Sequence, residues 1–219
     1  MIFKSQQNLN GGNLNVGNSG SSVNVNSNGY FQVIGNNVTN WDDLMFPGHS
    51  ARSNASAPNL RNGIGGNANI YVYEFNGAST LEQVYFQVQL PHSWKEGTTL
   101  YPHVHFYPVD TNGGDTNNRV VRFTLEYTWA NVNTAFGASS LIHLDSDPFV
   151  PNTSLYKHMI CKNATGIDAT GKKISSMMAC HLYRDPSDVI DTFPSRVGFL
   201  QFDIHHHKDA IGSEQEYIK

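Results

Sequence analysis

From Glu82 to Leu90 apolar and polar residues alternate without a break, so that Val84, Phe86, Val88 and Leu90 fall on one face of an extended chain and Tyr85, Gln87 and Gln89 on the other. This predicts a strand with one face in a core and one in water. The stretch 120–129 repeats the pattern, setting Val121, Phe123, Leu125, Tyr127 and Trp129 against Arg122, Thr124, Glu126 and Thr128. Further strands are predicted at 70–75, 102–107, 157–161, 174–183 and 199–207, joined by turn-rich connectors such as Thr111-Asn112-Gly113-Gly114-Asp115 and Thr170-Gly171-Lys172. No segment sustains a helical period with caps, which disfavours alternating strand and helix units. The pattern predicts an all-β chain, a two-sheet antiparallel sandwich of jelly-roll type. Loops at 48–69 and 131–152 exceed ordinary hairpin lengths and are the first candidates for contacts between subunits.

The first forty residues follow a different grammar. Asn, Gly and Ser dominate, and composition alone favours a disordered arm. Against that stand two short alternations, Asn13-Leu14-Asn15-Val16 and Val23-Asn24-Val25-Asn26, each with apolar residues on one side of a brief strand. Too few apolar residues are present for this stretch to fold alone, but a partner surface can supply the missing burial. The chain therefore divides into an arm, 1–40, that docks or intertwines in a trimer, and a sandwich domain, 41–219. Leu14, Val16, Val23 and Val25 are the arm's candidate docking residues. Trp41 and Phe46 flank acids suited to capping a turn and are read as the block that pins the arm to the sandwich.

Charge narrows the choice of partner. Charged residues are 15% of the 219 and the net charge is −4, which gives no basic field for a phosphate backbone, so nucleic acid is not expected. No apolar run reaches the roughly 20 residues that cross a bilayer, and the start lacks the apolar core of a secretory signal. Synthesis in a cytoplasm is the expectation, with Cys161 and Cys180 kept as buried thiols.

Three blocks carry a likeness to known proteins: Trp41-Asp42-Asp43-Leu44-Met45-Phe46-Pro47; Leu90-Pro91-His92-Ser93-Trp94-Lys95-Glu96-Gly97-Thr98 running on to Pro102-His103-Val104-His105-Phe106; and Phe202-Asp203-Ile204-His205 with Gly212-Ser213-Glu214-Gln215-Glu216-Tyr217-Ile218-Lys219. Together, over 41–219, they resemble a family of uncharacterised structural proteins of tailed bacteriophages and prophages. The resemblance implies a virion protein whose partners are other virion proteins, of the capsid, the portal and neck, or the fibres, and it implies no catalytic residue. A homotrimer is expected from closed symmetry and by analogy with stacked viral sandwiches. Within the blocks, Pro91 ends a strand because it cannot donate to a ladder, and Trp94 covers an end of the sandwich. Tyr217 and Ile218 favour a packed terminus over a surface tail.

The histidines are the sharpest chemical signal. His103 and His105 share one strand face, as do Asp203, His205 and His207, and adjacent strands would bring imidazoles and a carboxylate together as in cupin-type metal sites. The reading preferred from sequence is plainer: half-buried polar residues satisfied by cross-strand hydrogen bonds, with no metal and no cofactor. Neither a Gly-x-Ser-x-Gly elbow nor an activated cysteine is present, so no enzyme is expected. The leading function is an auxiliary virion component, in a capsid-decoration, head-fibre, fibre-base or connector role. The alternatives are a receptor- or carbohydrate-binding module at a fibre tip, which Tyr71, Tyr73, Tyr85, Tyr101 and Tyr107 would suit, and, more remotely, a metal-dependent cupin-like enzyme.

Overall fold

The computed structural model describes residues 14–18, 21–35, 40–48, 52–53, 56–67 and 69–219. Its strands are β1 (Leu14–Asn18), β2 (Ser21–Val25), β3 (Phe31–Gly35), β4 (Asn40–Pro47), β5 (Arg52–Ser53), β6 (Asn59–Asn62), β7 (Tyr71–Phe75), β8 (Glu82–Gln89), β9 (Tyr101–Pro108), β10 (Arg122–Ala130), β11 (Ser140–Ser146), β12 (Met159–Lys162), β13 (Met177–Arg184) and β14 (Val197–Lys208). Helical turns lie at Ile64–Gly66 and Pro151–Ser154, and among the described residues no helix is long and apolar enough to cross a membrane.

The alternating residues do what their period requires. In β8, Val84, Phe86 and Val88 are buried while Gln87 and Gln89 are exposed. Every pairing is antiparallel, and the eight strands β7 to β14 pair first with last: β7 with β14, β8 with β13, β9 with β12 and β10 with β11. One hydrogen-bonded sheet runs β5-β8-β13-β10-β11-β12-β9-β14-β7-β6, with β4 also on β14. It folds over at the β11–β12 seam, where only two residue pairs are in register. The two layers of this sandwich meet through aromatic rings: Phe86 of β8 lies 4.8 Å from Phe202 of β14, and Phe123 of β10 lies 5.2 Å from Phe75 of β7. Each fully buried Phe contributes about 1.5–3 kcal/mol relative to an exposed one. Trp94 is completely buried beside Trp129, its indole N–H donating to Thr98 Oγ1, so it fills one end of the core.

Irregularity in β14 sets the chemistry of the surface. Val197 and Phe199 point into the core, and strict alternation would carry Gln201, Asp203 and His205 inward after them. A register shift between Phe199 and Gln201 breaks the phase, so Phe202, Ile204 and His206 face the core instead. Asp203 and His205 are thereby turned to the outer face. At the same point the strand's outer neighbour changes from β7, on residues 197–199, to β4, on residues 201–208. Close by, Gly198 lies against the Tyr107 ring, and a Cβ there would come within 2.2 Å of it.

Several expectations need correction. The block at 41–47 is a strand rather than a capped turn, and Asn40 belongs to it, pairing with Lys208. The supposed loop 131–152 contains β11, whose first half lies open to solvent, Leu141 included, so burial does not follow a two-residue repeat there; loop 48–69 contains β5 and β6. The 174–183 strand begins only at Met177, after a turn in which Ser175 has positive φ. Tyr217 and Ile218 are 51% and 62% exposed; the terminus is held instead by Lys219, whose ammonium meets Asp209 and the Trp94 carbonyl. Tyr107 is buried, not part of an exposed aromatic face.

Candidate functional site

Strand phase and register converge five ionisable residues on the outer face of β9, β14 and β4. Asp203 stands directly opposite His103 across the β9–β14 pair, and His205 directly opposite Asp43 across β14–β4. Asp203 is almost wholly buried although it lies on an outer face, because the rings around it cover it. His105 Nε2 lies 2.9 Å from Asp203 Oδ2, and His105 Nδ1 lies 2.7 Å from His158 Nε2. With one N–H on each ring, His158 donates to His105 and His105 donates to the carboxylate, fixing both tautomers.

The other carboxylate oxygen has no such partner. Asp203 Oδ1 and His103 Nδ1 face one another at 3.6 Å, beyond hydrogen-bond reach, and both are buried without a hydrogen bond. His205 Nε2 lies 2.9 Å from Asp43 Oδ1 and 4.0 Å from Asp203 Oδ2, and its ring sits 4.1 Å from that of His103. Ligand atoms of His103, Asp203 and His205 all lie within 4.8 Å of one another. Burial pushes the His103 imidazole below its ordinary pKa, helped by the neighbouring His205, and the attraction of Asp203 does not offset this.

Beside the cluster opens a cavity of ≈ 580 Å³ lined by Trp41, Asp42, Asp43, Tyr101, His103, Lys162, Asn163, Ala164 and His205. Trp41 is half exposed, its ring edge-on to His207 at 4.1 Å and to Tyr101 at 5.6 Å. Of the sequence candidates, His103, His105, Asp203 and His205 are thus brought together, whereas His207 stands against Trp41, outside the group. His158 and Asp43 complete the site and were not singled out for it from the sequence. Asp43 was legible only once 41–47 is read as a strand, where Trp41, Asp43 and Met45 share a face; His158 precedes β12 with no pattern of its own.

Docking candidates in the arm fall into a separate three-stranded sheet, β1-β2-β3. Its register pairs Leu14 with Val25 and Val16 with Val23, then Val23 with Val33 and Val25 with Phe31. The side chains of Leu14 and Val16 lie outside the described residues. Val23, Val25, Phe31 and Val33 share one face by alternation and are only half-buried. The opposite face carries Asn24 and Gln32, which line a polar crevice with Lys95, Glu96 and Asp209 of the body. Among the described residues a handful of bonds join the two parts: Val33 N–H donates to the Asp209 carbonyl, Lys95 Nζ to the Gly35 carbonyl, and Asn26 Nδ2 and Asn28 Nδ2 to Glu214, beside a bridge between Gln32 and Ala210. Trp41 and Phe46 do not share a task, since Phe46 packs toward Phe86 and Phe202 in the core while Trp41 faces the histidines. In comparisons with models of protein families and with curated proteins, no family model and no curated protein matches this chain.

Proposed function

We propose that this chain is an auxiliary structural protein of a tailed-phage particle, in a decoration, head-fibre, fibre-base or connector role, acting through protein–protein contacts and without catalysis. One observation carries the reading: the arm's sheet turns its polar face to the body and leaves the Val23–Val33 and Val25–Phe31 rows outside the body's core. Apolar rows of this kind gain their burial from another chain. The first-with-last pairing of β7 to β14 is what a long hairpin wound into two layers produces, and it supports the jelly-roll reading and the sequence resemblance to phage structural proteins.

The assembly test is mass spectrometry of density-banded particles from a producing host. The chain should be present in fixed ratio to the capsid protein; presence in the lysate but not in the banded particle overturns the proposal. Removing residues 1–39 should abolish incorporation while lowering the melting temperature by no more than about 10 °C. Among the described residues four hydrogen bonds and the Gln32–Ala210 bridge join the sheet to the body; at about 0.5 kcal/mol for each such exposed bond they contribute about 2–3 kcal/mol, and a domain of this size moves about 2–4 °C per kcal/mol. The full chain is proposed to be a homotrimer, and light scattering that returns a monomer at micromolar concentration would sink that part.

A further inference from the structure

We infer that His103, Asp203 and His205 form a binding site for a divalent transition-metal ion of the zinc class, with Asp43 supplying the fourth ligand from the edge strand. The inference stands on the outer face of the sandwich and does not depend on the virion reading. Sequence favours cross-strand hydrogen bonding for these residues, and the geometry shows where that account fails. His105 and His158 are satisfied by it, but Asp203 Oδ1 and His103 Nδ1 are not. A buried carboxylate oxygen facing a buried imidazole nitrogen, neither with a partner, is costly unless a third species lies between them.

The spacing suits an ion. Zinc bonds of about 2.0–2.1 Å put neighbouring ligand atoms of a tetrahedral site about 3.3–3.4 Å apart. The His103 Nδ1 to Asp203 Oδ1 separation is 3.6 Å, and ligand atoms of His103, Asp203 and His205 all lie within 4.8 Å of one another, so modest side-chain rotations close the set. Two imidazoles and a carboxylate are the donors that zinc and its neighbours accept. Asp43 Oδ1, 2.9 Å from His205 Nε2, is placed at the solvent side of the same group. His105 is a positioning residue: its N–H on Oδ2 turns Oδ1 toward His103, and His158 in turn orients His105, the outer-shell arrangement that metal-binding carboxylates use. The site borders the cavity that Trp41, Asp43, His103 and His205 line, with the Asp203 carboxylate buried beneath these rings.

The test is calorimetric titration of chelator-treated, full-length protein with zinc chloride. One ion per chain should bind with micromolar or tighter affinity. His103→Gln and Asp203→Asn should each weaken binding by about 100-fold or more, and His105→Ala by about 10–100-fold, with His207→Gln unchanged. Absence of binding at millimolar zinc overturns the inference, as does binding that survives both His103→Gln and Asp203→Asn, since the ion would then sit elsewhere. Should a variant fail to fold by circular dichroism, zinc-edge anomalous diffraction from the wild-type protein decides: a peak among His103, Asp203 and His205 supports the site, and a peak elsewhere, or none, rejects it.

Discussion

Asp191 and Asp203 are both buried acids on this sandwich, and the fold treats them in opposite ways. Asp191 is bound at both oxygens by Arg184, at 2.7 and 2.8 Å, and also accepts the Arg122 backbone N–H. Arg184 is itself completely buried and donates onward to the carbonyls of Phe193 and Ser195, so it pins the 185–196 connection across the end of the layers. Every donor and acceptor in that group is occupied. At Asp203, one oxygen is held by His105 and the other is left facing an unpartnered nitrogen. A saturated pair is a fastener, and an unsaturated one is room for a ligand. The same burial thus serves stability in one place and binding in the other.

The largest effect is expected where saturation is complete. Arg184→Met leaves Asp191 buried without its counter-ion and should destabilise by about 3–5 kcal/mol, a fall of roughly 10 °C in melting temperature. Adding Asp191→Leu should recover much of that loss, because an apolar pair replaces the ion pair; failure to recover would mean the Arg184 bonds to Phe193 and Ser195 matter more than the pair. In the chelator-treated protein Asp203→Asn should change stability by less than about 1 kcal/mol in either direction, since Oδ1 has no donor to lose and the charge is removed from a buried place. Urea unfolding measures both, and an Asp203→Asn loss as large as that of Arg184→Met would erase the contrast.

A third buried acid shows a further response. Burial raises the Glu82 carboxyl above its ordinary pKa, against the backbone N–H of Asn76 that donates to it. A folded-state value above the unfolded one contributes stability that is fully present below about pH 4.3 and is lost as pH rises through the raised value. Glu82→Gln keeps an acceptor for Asn76 and removes the titration. The variant should match wild type below about pH 4 and become the more stable as pH approaches 7, by about 1.4 kcal/mol for each unit of the shift. Parallel stability curves for the two proteins across that range would show that Glu82 does not titrate differently on folding. Smallest of all, native Cys180, its thiol pushed up to about 12 by burial, should not react with a thiol reagent at pH 8 until the chain unfolds.

How much was legible follows from what a period can encode. The strands around Val84–Val88 and Phe123–Trp129 were readable because a half-buried sheet leaves a two-residue repeat in composition, and the all-β class followed. β4 was hidden by Asp42 and Asp43, which read as turn residues; in the fold their charges meet Lys208 and His205 across the ladder. β11 was hidden because it lies at the sheet's seam, with little of one face buried.

The sequence by itself determined that His103 shares a face with His105 and that Asp203 shares one with His205, because side-chain direction along a strand is a local property. It could not determine which face. That was decided by the irregularity after Phe199, which reverses the phase of β14, and by the register that sets Asp203 against His103 and Asp43 against His205. Register and phase depend on which strands lie side by side, and that is fixed by burying Phe199, Phe202 and Ile204 against residues more than seventy positions away, such as Phe86 and Phe123. The alternation along each strand is written locally, but a site shared by three strands exists only after the sheet has closed.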